Sequence, residues 1–199
     1  MVSTSVIAEG SFPLEATVIG ASAGGVSGLL ELLPGLPASF PPVLVVVHIL
    51  SSAPSLLPSV FAPVCAMRVC EADPGEPIRR GTIYFAPSDY HLLVGHDRTC
   101  ELSIEAPVHF SRPAIDVLFE SAADVYGPNV CGIVLTGASS DGAIGLERVV
   151  EKGGLAFVQD PASAEFRTMP EAAIARVRGA TVLPIDRIAR ALVALAETR

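Results

Sequence analysis

The sequence has no tryptophan, and lysine occurs once, at Lys152. Charged residues are scarce, at 17%, and basic ones scarcer still. Lys and Arg number 13 against 21 Asp and Glu, for a formal net charge of −8. Tracking a phosphate backbone needs clustered Lys and Arg, so no nucleic-acid partner is expected. The C-x-x-C spacing of zinc knuckles and thioredoxin-like sites is also missing. The cysteines are Cys65, Cys70, Cys100 and Cys131. Their spacing leaves room for a Cys65–Cys70 disulfide, but buried free thiols suit most of them and a reducing compartment. The first 15 residues, MVSTSVIAEGSFPLE, lack the basic and apolar segments of a secretory signal. The longest apolar run, Phe40 to Leu50, is broken by two prolines and His48. It is well short of the ~20 residues of a membrane span. The chain therefore reads as cytoplasmic, without membrane insertion.

Hydrophobic residues, by contrast, make up 50%, and Gly and Pro number 17 each. The first figure excludes a disordered acidic chain. The second points to short elements and tight turns. A length of 199 residues fits one domain. Residues 16–20 form an apolar run ending in a Gly/Ser-rich turn. Val26, Leu29, Leu30 and Leu33 follow at helical spacing, and four prolines close that helix. Val43 to Val47 is then a continuous β-branched run ending at His48. Strand, turn, helix, loop and strand over about 30 residues make a βαβ unit with parallel strands. Residues 54–63 read as a short helix and 64–71 as a strand. Residues 82–86 and 90–94 read as a hairpin about Pro-Ser-Asp, with Cys100 to Ile104 as one more antiparallel strand. Pro113 opens a helix to about Tyr126, and 130–135 is a second buried strand. Small residues 136–142 lead into a helix ended by Gly153-Gly154. A strand (155–159), a helix (170–178), a short strand (181–183) and a terminal amphipathic helix complete the chain. The expected fold is α/β, with a doubly wound, mostly parallel sheet flanked by helices and an antiparallel hairpin at the sheet edge. Residues 1–15 are an N-terminal tail and 16–199 the domain.

In such sheets, sites lie beyond the carboxyl ends of the strands. Ser22, His48 and Asp141 each follow a buried strand. Gly20-Ala-Ser22-Ala-Gly24 fits the G-x-S-x-G turn, whose small residues let the chain bend sharply and expose the serine. A plain Gly-rich turn, a helix cap or an anion-binding loop would look similar. The dinucleotide and P-loop patterns both fail here. His48 is either a hydrogen-bonded core histidine or a base, and its place one βαβ unit after Ser22 favours the base. Asp141 is either a helix cap or the carboxylate that orients the imidazole. The other histidines, His91, His96 and His109, follow no parallel strand. No metal-ligand set and no convergent carboxylate pair can be placed, so no metal and no cofactor are expected.

These segments, together with Arg112-Pro-Ala-Ile-Asp-Val-Leu-Phe119 and Ala86-Pro-Ser-Asp-Tyr-His91, resemble the catalytic domain of CheB-type chemotaxis protein-glutamate methylesterases over residues 15–195. The resemblance implies a hydrolase acting on γ-glutamyl methyl esters of methyl-accepting chemotaxis receptors, with receptor glutamine deamidation in some members. It implies Ser22 as nucleophile, His48 as base, Asp141 as carboxylate, and backbone amides at Ala23 and Ala138 in an oxyanion hole. The receptor's cytoplasmic helices would be the partner. The family elbow usually carries Thr where Ala23 stands, and its later turn Met where Ala138 stands, leaving a roomier pocket. The family's Gln before the histidine and Met-Pro after it are here Val47, Ile49 and Leu50. Most members carry an N-terminal receiver domain. Only about 15 residues precede the first strand here, which suggests a stand-alone enzyme, controlled in trans or not at all. Two other readings stay open: a catalytically degenerate binding module, and an anion- or nucleotide-binding domain using the Gly20–Gly25 turn.

Overall fold

The computed structural model describes residues 13–48 and 56–197. The first described strand lies in the middle of the sheet. Strand β1 (Ala16–Ala21) is followed by helix α1 (Gly25–Leu32) and strand β2 (Val43–Val47), which pairs parallel to β1. A short helix α2 (Leu57–Phe61) leads to β3 (Arg68–Glu71) and β4 (Thr82–Phe85). Strands β5 (His91–Val94) and β6 (Cys100–Ser103) precede helix α3 (Ile115–Tyr126). Strand β7 (Val130–Val134) then returns to the other side of β1. Helix α4 (Ala143–Glu151), β8 (Leu155–Gln159), α5 (Thr168–Arg176), β9 (Thr181–Leu183) and α6 (Ile185–Glu197) follow. The sheet order is β3-β4-β2-β1-β7-β8-β9, with every pairing parallel.

Strands β1, β2, β4 and β7 are buried along their whole length, which is why their sequences run apolar without alternation. Successive residues still serve opposite faces. Val18, Leu44 and Val46 join Ile115, Phe119 and Leu146 in one core. Ile19 and Val45 join Leu29, Leu32, Ile188 and Leu192 in the other. The strand order reverses at β1, so the crevice at the carboxyl ends of β1, β2 and β7 is the topological switch point.

The expected hairpin of 82–86 with 90–94 does not form; an antiparallel pair is present, but with other partners. Thr82–Phe85 lies inside the parallel sheet as β4, next to β2. It is β5 that pairs antiparallel, with β6, in a separate two-stranded sheet. The reason is burial. All four β4 residues are inaccessible and need cover on both faces, whereas β6 buries only Cys100. Pro113 does not open α3, because extended Ala114 stands between them as its N-cap. Helix α5 begins at Thr168, two residues before Pro170. All four cysteines are free thiols, including Cys65 and Cys70. Burial pushes the Cys100 thiol up to about 12. The helix read over 54–63 and the departures at Ile49 and Leu50 fall wholly or partly in 49–55, outside the described residues. So does most of the 1–15 tail. Among the described residues, no helix is long and apolar enough to cross a membrane.

His91 shows how a histidine becomes structural. It is 1% exposed. Its Nδ1 accepts the N–H of Ala114 at 3.1 Å, and its Nε2 donates to Ala106 C=O at 3.2 Å. One tautomer, protonated on Nε2, satisfies both bonds. His91→Ala should therefore lower unfolding free energy by about 1–3 kcal/mol, by stranding the buried Ala114 N–H and emptying a buried side-chain site. Chemical denaturation checks this; a change below about 0.5 kcal/mol would contradict it.

Candidate active site

The three strand-end side chains are set by register. Ala21 and Val47 are paired Cα partners on adjacent parallel strands, so Ser22 and His48 leave the sheet side by side. The His48 N–H still donates to Ala21 C=O at 3.0 Å, which extends the pairing by one residue. On the other flank of β1, Ser22 N–H donates to Thr136 C=O at 3.0 Å. The elbow is thus held from both sides. Gly25 N–H donates to Ser22 C=O at 2.8 Å, closing the turn before α1. The N-cap of α1 is Gly24, not Ser22. The serine is therefore spared the capping role.

His48 and Asp141 meet directly, with Nε2 2.9 Å from Oδ2. The imidazole is 12% exposed and the carboxylate fully buried. Because Nε2 faces the carboxylate, Nδ1 is the nitrogen left for a further partner. Among the described hydrogen bonds none joins Ser22 Oγ to His48; such bonds are often loose without substrate.

Asp141 does not cap its own helix. The N-cap of α4 is Gly142, at φ +92°, where a side chain would be strained and would strike Ile115. Asp141 instead receives the first amides of α3. Its Oδ2 accepts Ile115 N–H at 2.7 Å, and its Oδ1 accepts Asp116 N–H at 2.9 Å. Asp116 returns the exchange. Its Oδ1 accepts Gly142 N–H at 2.9 Å and Gly145 N–H at 2.7 Å. Each helix start, with its orphan donors, is therefore satisfied by a carboxylate belonging to the other segment. Burial pushes the Asp141 carboxyl up, but the bonds from His48, Ile115 and Asp116 outweigh it and hold it below the ordinary carboxylate range.

The floor of the site is the Thr136–Gly137 turn. Thr136 Oγ1 donates to Ala23 C=O at 3.0 Å and accepts Phe166 N–H at 2.9 Å. Thr136 N–H donates to Gln159 Oε1 at 2.8 Å. A side chain at Gly137 would meet Ser22 Cβ at 2.8 Å and Met169 Cε at 2.7 Å, so only glycine fits. Met169, 1% exposed, therefore closes the space beside the Ala138 turn. Ala138 itself is exposed, and Ala23 half-buried. Among the described hydrogen bonds, neither N–H is a donor, so both amides remain available to a ligand oxygen.

Sequence reasoning missed the second layer. Asp116 stood within the Arg112–Phe119 motif and carried a signal. Gln159, at the end of β8, would have met the strand-end criterion. His109 and Met169 carried none, because only the tertiary fold brings them in. Asp116 and Asp141 do converge, but Asp116 comes from the first turn of α3 and not from a strand end. Ligand atoms of His109, Asp116 and Asp141 lie within 4.8 Å of one another, a cluster that spacing in the sequence does not show. Asp116 and Asp141, 25 residues apart, meet because α3 and α4 start side by side.

The CheB methylesterase family profile matches residues 17–192. A putative protein-glutamate methylesterase/protein-glutamine glutaminase of Leptospira interrogans is 44% identical over 182 residues, covering 91% of this chain and 94% of that protein. Protein-glutamate methylesterase/protein-glutamine glutaminase 2 of Anaeromyxobacter dehalogenans is 41% identical over 180 residues, and the chain spans about half (52%) of its length. The crystal structure of the Thermotoga maritima CheB methylesterase catalytic domain superposes with a TM-score of 0.85 at 29% identity, over 91% of this chain and 98% of that one. On sequence and fold together, the chain belongs to the CheB methylesterase family.

Proposed function

We propose that this chain is a serine hydrolase that removes methyl esters from glutamate side chains of methyl-accepting chemotaxis receptors, with deamidation of receptor glutamines as a second activity of the same site. The observation that carries the reading is the 2.9 Å His48–Asp141 bond at the switch point, one strand spacing from Ser22.

His48 Nδ1 takes the Ser22 hydroxyl proton as Oγ attacks the ester carbonyl. Asp141 fixes the tautomer through Nε2 and stabilises the imidazolium that forms. The Ala23 and Ala138 amides face the developing oxyanion. The tetrahedral intermediate collapses, the imidazolium proton goes to the methoxy oxygen, and methanol leaves. Water, deprotonated by His48, then cleaves the glutamyl-serine ester and frees a glutamate carboxylate and the serine hydroxyl. With a glutamine side chain the same steps release ammonia. The rim favours a polypeptide side chain over a deeply enclosed small molecule, because Ala138, Glu165, Phe166 and Arg167 are all exposed.

The competing reading is a binding module without turnover. Ala23 supports it, since Thr is usual beside the nucleophile. The two readings part in a methanol-release assay on a purified receptor fragment bearing glutamyl methyl esters. Release above the spontaneous rate is the expected result. Binding of the fragment without release would leave the module standing.

A further inference from the structure

Behind Asp141 lies a second carboxylate that helix capping does not fully explain. Asp116 is 3% exposed. Its Oδ1 takes both amides of the α4 start, at 2.9 and 2.7 Å. Its Oδ2 is buried with no hydrogen-bond partner. The nearest group able to carry a positive charge is His109 Nε2, at 3.2 Å, within ion-pair range but off the line of a hydrogen bond. His109 and Phe110 are both non-glycine residues at positive φ, +49° and +62°, in the turn closed by Val108 and Ser111. Such conformations persist only where the surroundings impose them. Here they set the imidazole over the orphan oxygen.

We propose that Asp116 is a positioning residue of the hydrolysis: its carboxylate, wedged between Asp141 and His109, holds the turn that carries Asp141 and places a second negative charge behind His48. The groups facing it are Asp141 from the β7–α4 turn, His109 from the 108–111 turn, and the Gly142 and Gly145 amides from α4. Glu120, one turn further along α3, also feels Asp141.

An asparagine at 116 could accept the same two amides, so capping alone does not require an acid. The acid is also unfavourable to keep. Burial first, then the Asp141 charge, pushes the Asp116 carboxyl up to about 6, against the pull of the Gly145 and Gly142 bonds and of His109. A group raised in this way adds no penalty in acid, and its penalty grows as pH rises through about 6. What an ionised Asp116 supplies is charge. When His48 becomes imidazolium, a second carboxylate beyond Asp141 stabilises it and makes the base stronger.

This inference rests on the esterase reading. Methanol release by the wild-type chain from a methyl-esterified receptor fragment tests that reading, and Asp116→Asn tests the role of Asp116. Asp116→Asn should melt no lower than wild type above pH 6. Its kcat should fall about ten-fold with KM unchanged, and the acid limb of its pH profile should move to lower pH. That displacement in a variant of undiminished stability would support the assignment. A profile that superimposes on wild type, or a limb that moves to higher pH, would overturn it. So would an Asp116→Asn variant that melts lower with an unmoved limb, since that result means capping alone.

Discussion

Ser22→Ala should abolish measurable methanol release, a loss of about 10⁴-fold or more, without unfolding the protein. The size follows from the chemistry. Without Oγ no glutamyl-enzyme can form, and only binding and the Ala23 and Ala138 amides remain to assist direct attack by water. A 10⁴-fold loss is about 5.5 kcal/mol of transition-state stabilisation. The fold should not notice the change. Ser22 holds its place through backbone groups, with its N–H on Thr136 C=O and its C=O on Gly25 N–H. Among the described hydrogen bonds its hydroxyl takes no part. The melting temperature should stay within about 2 °C of wild type. Paired kinetics and calorimetry check both halves. A variant that keeps one-tenth of the wild-type rate has another nucleophile.

Asp141→Asn carries the second large effect, and here activity and stability fall together. Asparagine is nearly isosteric, but one carboxylate oxygen becomes an NH₂ group. Oδ1 faces Asp116 N–H, and Oδ2 faces Ile115 N–H and His48 Nε2. Either orientation of the amide therefore points a donor at a backbone donor. The donor clash and the lost charge-assisted bonds should cost about 1–3 kcal/mol of stability. Turnover should fall about 10³–10⁴-fold, because the imidazole loses both its tautomer and its counter-charge. KM should change little, since Asp141 is buried beneath the imidazole and does not reach the substrate.

The pH dependence gives a separate handle. Asp141 is held below the ordinary carboxylate range, so its contribution to stability is complete above that range and disappears as acid titrates the folded carboxylate. The stability gap between wild type and Asp141→Asn should therefore narrow on acidification. A gap that widened would contradict the assigned hydrogen bonds.

The parallel sheet was legible because its strands are buried on both faces and spell continuous apolar runs, as Val43 to Val47 does. The same logic failed at Thr82–Phe85. That run equally suits a hairpin arm, and only its placement between β2 and β3 decides. Ser22, His48 and Asp141 could be singled out because a single rule, reactive side chains after buried strands, selects all three. Their contacts could not be read. Asp141 sits just before α4 in sequence and reads as that helix's cap, yet it caps α3, because α3 and α4 start side by side. Asp116, His109 and Met169 enter the site through helix packing and a turn, and no local spacing encodes either.

The central claim is that Ser22 is a nucleophile activated by His48 and Asp141. Fluorophosphonate labelling of the whole chain, followed by peptide mass mapping, tests it most directly. The account predicts one adduct, on the peptide containing Ser22, whose formation slows at least 10²-fold in His48→Ala. An adduct on Ser139 or Ser140, labelling that survives loss of His48 at the wild-type rate, or folded protein that stays unlabelled would contradict it.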